Sequence, residues 1–114
     1  MDFEKLQVWQ RSARLSAELY KTLRELRDFG FKDQITRSGL SVPSNIAEGM
    51  TRGTPKDKRH FLLIAKGSCA ELRTQIYIGI DIGYIEKACG NRWIQETREI
   101  AAMLSGLISK LSTE

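Results

Sequence analysis

The sequence predicts an all-α protein: an antiparallel up-down-up-down four-helix bundle whose second helix is kinked at Pro43. Three observations carry that prediction. Four stretches of about 20 to 28 residues repeat apolar positions at alternating steps of three and four, the spacing of an amphipathic helix. Short, glycine-bearing connections separate them, which suits neighbouring antiparallel helices. The one stretch that alternates like a strand, Ile76–Ile82, has no second strand to pair with, and an isolated strand is not stable.

The bulk numbers agree with a single domain over residues 1–114, long enough to build a core without disulfides or metals. Apolar residues at 41% and charged residues at 28% exclude a disordered chain. Cys69 and Cys89 sit in no metal-like spacing and read as reduced thiols. No run approaches the roughly 20 apolar residues of a membrane span. Met1-Asp2-Phe3-Glu4 has neither the basic nor the apolar part of a signal peptide, so a soluble cytoplasmic protein is expected.

The first helix is expected from about Glu4 to Asp28 on the stripe Leu6, Trp9, Ala13, Ser16, Tyr20 and Leu23, widened by Val8, Leu15, Leu19 and Leu26. Gly30 reads as a left-handed cap that ends it. The second helix should start near Lys32 or Asp33 and reach about residue 51, with Ile35, Gly39, Val42 and Ile46 on one face. Pro43 lies inside that run; it removes a backbone donor and crowds the carbonyl four residues back, at Gly39. A kinked single helix is the reading; the competing one is a break, with Pro43 opening a new helix. Gly49 and Gly53 mark where it frays.

The third helix has the clearest start: Thr54 at the cap, Pro55 at the first position and Asp57 at the third. Its seam is Phe61, Ala65, Ser68, Leu72, Gln75 and Gly79, with Leu62, Cys69 and Ile76 beside it, running to about Ile82. From Ile76 to Ile85 it is apolar nearly all round, which predicts an oligomer contact through Ile76, Tyr77, Ile78, Ile80 and Tyr84. Cover by the chain's own loop is the alternative. Gly83–Gly90 reads as a connection, Asn91 as the cap of a last helix with Trp93, Thr97, Ile100, Leu104, Leu107 and Leu111 inward.

Little here supports catalysis. The single histidine, His60, sits on a basic turn, and Asp57-x-x-His60 has no matching second pair for a di-metal site. Neither cysteine has a recognisable partner base, and no phosphate-binding glycine loop exists. The expectation is no enzyme, no catalytic residue, no metal, no cofactor and no small-molecule substrate.

Charge is more informative. The net charge is +4, and residues 37–66 hold six basic against two acidic residues while the remainder balances. Arg52, Lys56, Lys58, Arg59, Lys66 and Arg73 are the candidates for polyanion contact, four of them sharing a stripe of the third helix at steps of three and seven. A solvated basic face is the plainer alternative. With almost no interleaved aromatics, such a surface would read phosphates and shape, not sequence. Asn45, Glu48, Ser68, Glu71 and Gln75 lie beside apolar seam positions, as a hydrogen-bonded network that fixes register or, alternatively, as a site between helices.

Three motifs carry a resemblance: Phe3-Glu-Lys-Leu-Gln-Val-Trp9, Ser41-Val-Pro-Ser-Asn-Ile-Ala-Glu-Gly49, and Phe61-Leu-x-x-Ala-Lys-Gly-Ser68 followed by Glu71-Leu-x-x-Gln75. The chain resembles, over nearly all its length, the four-helix bundle family first noticed as reading frames in intervening sequences of bacterial 23S ribosomal RNA genes. It departs at the first loop, where many relatives carry Pro-x-x-Glu-x-x-x-Leu and this chain has Arg27-Asp-Phe-Gly-Phe-Lys-Asp33. The resemblance implies a homopentamer, with Pro43, Ser44, Asn45, Glu48, Gly49, Ser68, Glu71 and Gln75 as its structural motif. A related branch, the accessory variability determinants of diversity-generating retroelements, implies RNA or a reverse transcriptase as partner. The function expected is therefore a non-enzymatic oligomeric bundle that binds RNA or a nucleoprotein, the alternative being a protein-interaction scaffold.

Overall fold

The chain does not run straight into its first helix. Asp2 caps a 3-10 turn over Phe3–Lys5, its carboxylate accepting the Glu4 N–H at 3.2 Å, and Leu6 then turns extended (φ −74°, ψ 127°). In the computed structural model, which describes residues 2–112, four helices follow: α1 Gln7–Thr22, α2 Phe29–Met50, α3 Pro55–Asp81 and α4 Lys87–Ser112. The molecule measures 45 × 21 × 20 Å. The 27 residues of α3 alone reach about 40 Å at 1.5 Å per residue, so the helices must lie along the long axis.

Local chemistry explains where the helices start and stop, including three departures from expectation. α1 is shorter at both ends than Glu4–Asp28, because extended Leu6 delays its start and Leu23 leaves helical geometry (φ −96°, ψ 11°) while burying its side chain. The Asp28 carboxylate accepts the Phe31 N–H at 3.1 Å and so caps α2 directly. Helix therefore resumes at Phe29, not near Lys32 or Asp33, and Gly30 sits in the first turn rather than in a left-handed cap. Among the described residues only Gly83 has a positive φ, at 80°.

Gly83 ends α3 by a Schellman arrangement. Its N–H bonds to the Ile80 carbonyl at 3.1 Å and the Tyr84 N–H to the Gly79 carbonyl at 2.8 Å. α4 then opens at Lys87, so Asn91 is not its cap. The Gly90 N–H already closes a turn onto the Glu86 carbonyl at 2.8 Å. Gly90 lies inside α4, where a Cβ would run into Ile80. Thr54 behaves as read: its hydroxyl accepts the Asp57 N–H at 3.1 Å with Pro55 in the first position. The strand-like stretch Ile76–Asp81 is helical.

The core is one cluster fed by all four helices, with Leu15 and Leu19, Ile35, Val42 and Ile46, Leu62, Leu72 and Ile76, and Trp93, Ile100 and Leu104 buried together. The α2 stripe is buried throughout, as its spacing predicted. On α1 the buried face is rotated towards Val8, Leu15 and Leu19, which leaves Tyr20 46% exposed. α2 is a single helix with Pro43 inside it, so the sequence break did not become a chain break.

Contacts descend α2 as they climb α3. Gly49 lies against Phe61 and the Lys58 carbonyl, Ser41 meets Ser68, Ser38 meets Glu71, and Phe31 lies against Gly79. Gly49 does not fray; it is a buried point of close approach, where an added Cβ would stand 3.0 Å from the Phe61 Cβ and 3.1 Å from the Lys58 carbonyl.

Two predictions follow from these contacts. Gly67, in the middle of α3, has nothing within 4 Å of an added Cβ. Gly67→Ala should raise stability by about 0.5–1 kcal/mol through helix propensity alone. Gly49→Ala should lower it, because the Phe61 Cβ and the Lys58 carbonyl must give way to admit the methyl. The urea midpoints of the two variants should move in opposite directions.

The second concerns Asp28, whose other oxygen accepts the Tyr84 hydroxyl at 2.8 Å. The Phe31 N–H first, and Tyr84 second, hold this carboxylate below its usual pKa, while Asp28 pushes the Tyr84 phenol up. A depressed folded pKa means stability present above the ordinary carboxylate range and lost as pH falls through the folded value. Asp28→Asn keeps a cap but no charge. It should flatten the stability profile below about pH 4, lower stability near neutrality where the parent's carboxylate is ionised, and bring the two proteins together at low pH.

Candidate nucleic-acid interface

α3 presents two different flanks, each fixed by what it meets. Towards α2 it offers Ser68, Glu71 and Gln75; towards α4 it offers Arg73 on the row begun by Arg59 and Lys66.

On the α2 flank the polar residues form a cross-helix network. The Ser41 and Ser68 hydroxyls pair at 2.9 Å, Ser38 donates to Glu71 at 2.7 Å, and the Asn45 amide donates to both the Ser41 carbonyl and hydroxyl at 2.9 Å. Ser38 was missed in the sequence; it is buried and also bonds back to the Gln34 carbonyl at 3.0 Å. The Gln75 Oε1 atom is buried without a hydrogen-bond partner. The other motif residues lie elsewhere. Pro43 is buried, beside Trp9 and Ala13 of α1; Ser44 is exposed; Glu48 pairs with Arg52 one turn on, at 2.5 Å.

The six basic candidates do not behave alike. Lys58 turns inward and donates to the Met50 carbonyl at 3.1 Å, closing the C-terminal end of α2. Arg52 lies over the Phe61 ring at 4.6 Å, a cation–π contact that covers the aromatic face. Arg73 reaches across to α4, its Nε donating to the Thr97 hydroxyl at 2.9 Å and its Nη2 to the Thr97 carbonyl at 3.2 Å. Lys56, Arg59 and Lys66 make no ion pair with a described residue. Exposed His60 rests against the edge of Phe61.

The residues read as an oligomer contact also divide. Ile76 is fully buried in the protein's own core, so it cannot meet a second chain. Ile80 packs against Gly90, and Tyr84 stacks edge-on with Phe31 at 5.3 Å. Tyr77 and Ile78 remain about half exposed, joined by Ile82, Leu63 and Ile64, which the sequence reading did not single out. From Ile76 to Ile85 the chain is apolar nearly all round, but its own C-terminal turn and α4 cover part of that surface.

The α1–α4 side is built from charge. Arg11 donates to Glu96 and Glu99, and the Trp93 indole donates to Glu18 at 2.9 Å, with Arg92 3.5 Å from the same carboxylate. Arg11 holds the Glu99 carboxyl below its usual pKa. Cys69 is buried, donates to the Thr97 carbonyl at 3.1 Å, and has its thiol pushed up by that burial. Among the described residues no group of His, Cys, Asp and Glu is placed to hold a metal ion, and no helix is long and apolar enough to cross a membrane.

The comparisons point one way. A family model described as 23S rRNA-intervening sequence protein matches residues 4–106. The crystal structure of a protein of unknown function from the S23 ribosomal protein family of Bacteroides thetaiotaomicron VPI-5482 is similar, with a TM-score of 0.83 and 27% identity. The match covers 89% of this chain and 97% of that one. No curated protein matches.

The division among the basic residues is testable. Arg73→Met leaves the buried Thr97 carbonyl and hydroxyl without their cationic donor, and should cost about 1–2 kcal/mol in urea unfolding. Lys66→Gln, which loses no contact, should stay within about 0.5 kcal/mol of the parent.

Proposed function

The chain belongs to the 23S rRNA-intervening sequence protein family, and we propose that it acts without catalysis, as an oligomeric helical bundle that binds RNA through the basic flank of α3. The observation that carries this reading is the state of Lys56, Arg59 and Lys66: three cations along one helix, with no carboxylate among the described residues paired to them. Unneutralised cations at fixed spacing form a positive field that attracts polyphosphate and gains from releasing its condensed counterions. Arg73 extends the field at one end while keeping its contact with Thr97, whereas Arg52 is paired with Glu48 and lies over Phe61.

The half-exposed Ile64, Ile78 and Ile82 supply the oligomer contact in this reading, with Leu63 and Tyr77 at its edge. Burying each such side chain stabilises association by about 1–2 kcal/mol before the cost of immobilising the subunits. A homopentamer is the assembly we expect. The same apolar row favours a second reading, a protein-interaction scaffold with no nucleic-acid ligand.

Binding of a labelled RNA against salt separates the two. The parent should show a steep fall of log K with log salt, and neutralising Lys56, Arg59 and Lys66 together should reduce that slope by about three. An unchanged slope sinks the RNA reading and leaves the scaffold. Light scattering should give a multiple of the 13.0 kDa chain mass. Ile78→Arg should shift it towards the monomer, and a monomeric parent at micromolar concentration refutes the assembly.

A further inference from the structure

Charges on α3 and α4 are sorted by flank. Between residues 59–77 of α3 and 91–109 of α4 there are three carboxylates, and each is engaged away from the α3–α4 seam. Glu71 accepts from Ser38 of α2, and Glu96 and Glu99 accept from Arg11 of α1. Arg98 of α4 points the other way. It donates to the Tyr77 hydroxyl of α3 at 2.9 Å, on the same side as Arg73, which is bonded to Thr97. Arg59, Lys66 and Arg73 repeat every seven residues and so share one row of α3. Between those bounds the seam thus gathers cations from two helices and no carboxylate.

We propose that this seam, with Arg98 as its α4 member, takes double-helical nucleic acid through the phosphate backbone in preference to single strands. The proposal rests on the polyanion reading above and names its ligand class. Two physical arguments support it. The row from Arg59 to Arg73 is rigid and about 21 Å long at 1.5 Å per residue, mounted on an unbroken helix. A duplex is also stiff and carries a charge every ~1.7 Å of axis, so neither partner gives up much conformational freedom on contact.

The second argument concerns the bases. Sites that hold single strands stack successive bases on exposed aromatic rings. Here the Phe61 face is taken by Arg52, Trp93 is buried, and Tyr77 is tied to Arg98. No ladder of rings follows the cations. Such a surface holds phosphates and offers unstacked bases nothing in return.

Fluorescence anisotropy tests this with three probes: an RNA duplex of about 16 base pairs, the DNA duplex of the same sequence, and the RNA strand alone, each across a salt series. Both duplexes should bind about ten-fold more tightly than the strand at equal salt, the deficit of roughly one stacking contact. Arg98→Gln, checked for folding by circular dichroism, should lower the duplex salt slope by about one. Equal binding of the two duplexes supports contact through phosphates alone; tighter binding of the RNA duplex supports added 2′-hydroxyl contacts. A strand that binds as tightly as the duplexes, with a slope still reduced by Lys66→Gln, overturns the duplex preference but leaves the polyanion reading standing. No salt-dependent binding of any probe overturns both. Duplex binding untouched by Arg98→Gln removes α4 from the interface.

Discussion

The structure depends most on how closely α2 and α3 approach each other. Gly49 allows it at one end, where an added Cβ would stand only 3.0 Å from the Phe61 Cβ and 3.1 Å from the Lys58 carbonyl. Gly79 allows it at the other, filled by Phe31 and Ile85. Between them the contact is made by hydroxyls, Ser41 with Ser68 and Ser38 with Glu71. Short polar side chains permit a near approach that aliphatic ones would prevent. Once desolvated there, they must find each other, because an unpaired hydroxyl at such an interface costs about 1–3 kcal/mol. A slip of one residue would break every pair at once. The network therefore acts as a register device, and α3 is held in one rotation about its own axis.

That rotation decides where everything else on α3 points. With Ser68 and Glu71 turned to α2, Arg73 must turn to α4, where Thr97 receives it. α1 is held differently, by arginine and glutamate partners at α4 and by Leu15 and Leu19 in the core. Surface ion pairs contribute little to stability, typically 0–1 kcal/mol each. Their effect here is positional: Arg11 draws Glu96 and Glu99 to the α1 side and strips the opposite flank of α4 of negative charge.

Much of this was legible in the chain. Four helices, the α2 core stripe, and the Thr54-Pro55 start follow from periodicity and capping chemistry, which are local. What failed to read was also local, but ambiguous: Asp28 and Gly30 are both credible punctuation, and the side-chain cap won because it satisfies free N–H groups at once. Asn91 looked like a cap for the same reason. Yet Gly90 beside it was needed inside the helix to admit Ile80, a tertiary demand that spacing cannot express. The candidate site was half legible. Lys56, Arg59 and Lys66 could be named from a stripe, but the inward turn of Lys58, the burial of Ile76 and the part played by Arg98 depend on which helix each one faces.

Two heptad rows on α3 bring these points together. Arg59, Lys66 and Arg73 form one; Ile64, Glu71 and Ile78 form the other, offset by two residues from Lys66 and Arg73. At about 100° per residue the rows stand roughly 160° apart, and each drifts only about 20° per heptad, so they do not merge along the helix. Glu71 fixes the second row beside α2 through Ser38, and Thr97 fixes the first beside α4. An apolar contact made through Ile64 and Ile78 would leave the basic row uncovered. In a closed ring built on that contact, each subunit would add an identical cationic seam, and weak phosphate contacts on single chains would combine into avidity without any new chemistry. The single Glu71 within the apolar row is compatible with this because Ser38 already supplies a hydrogen bond to it.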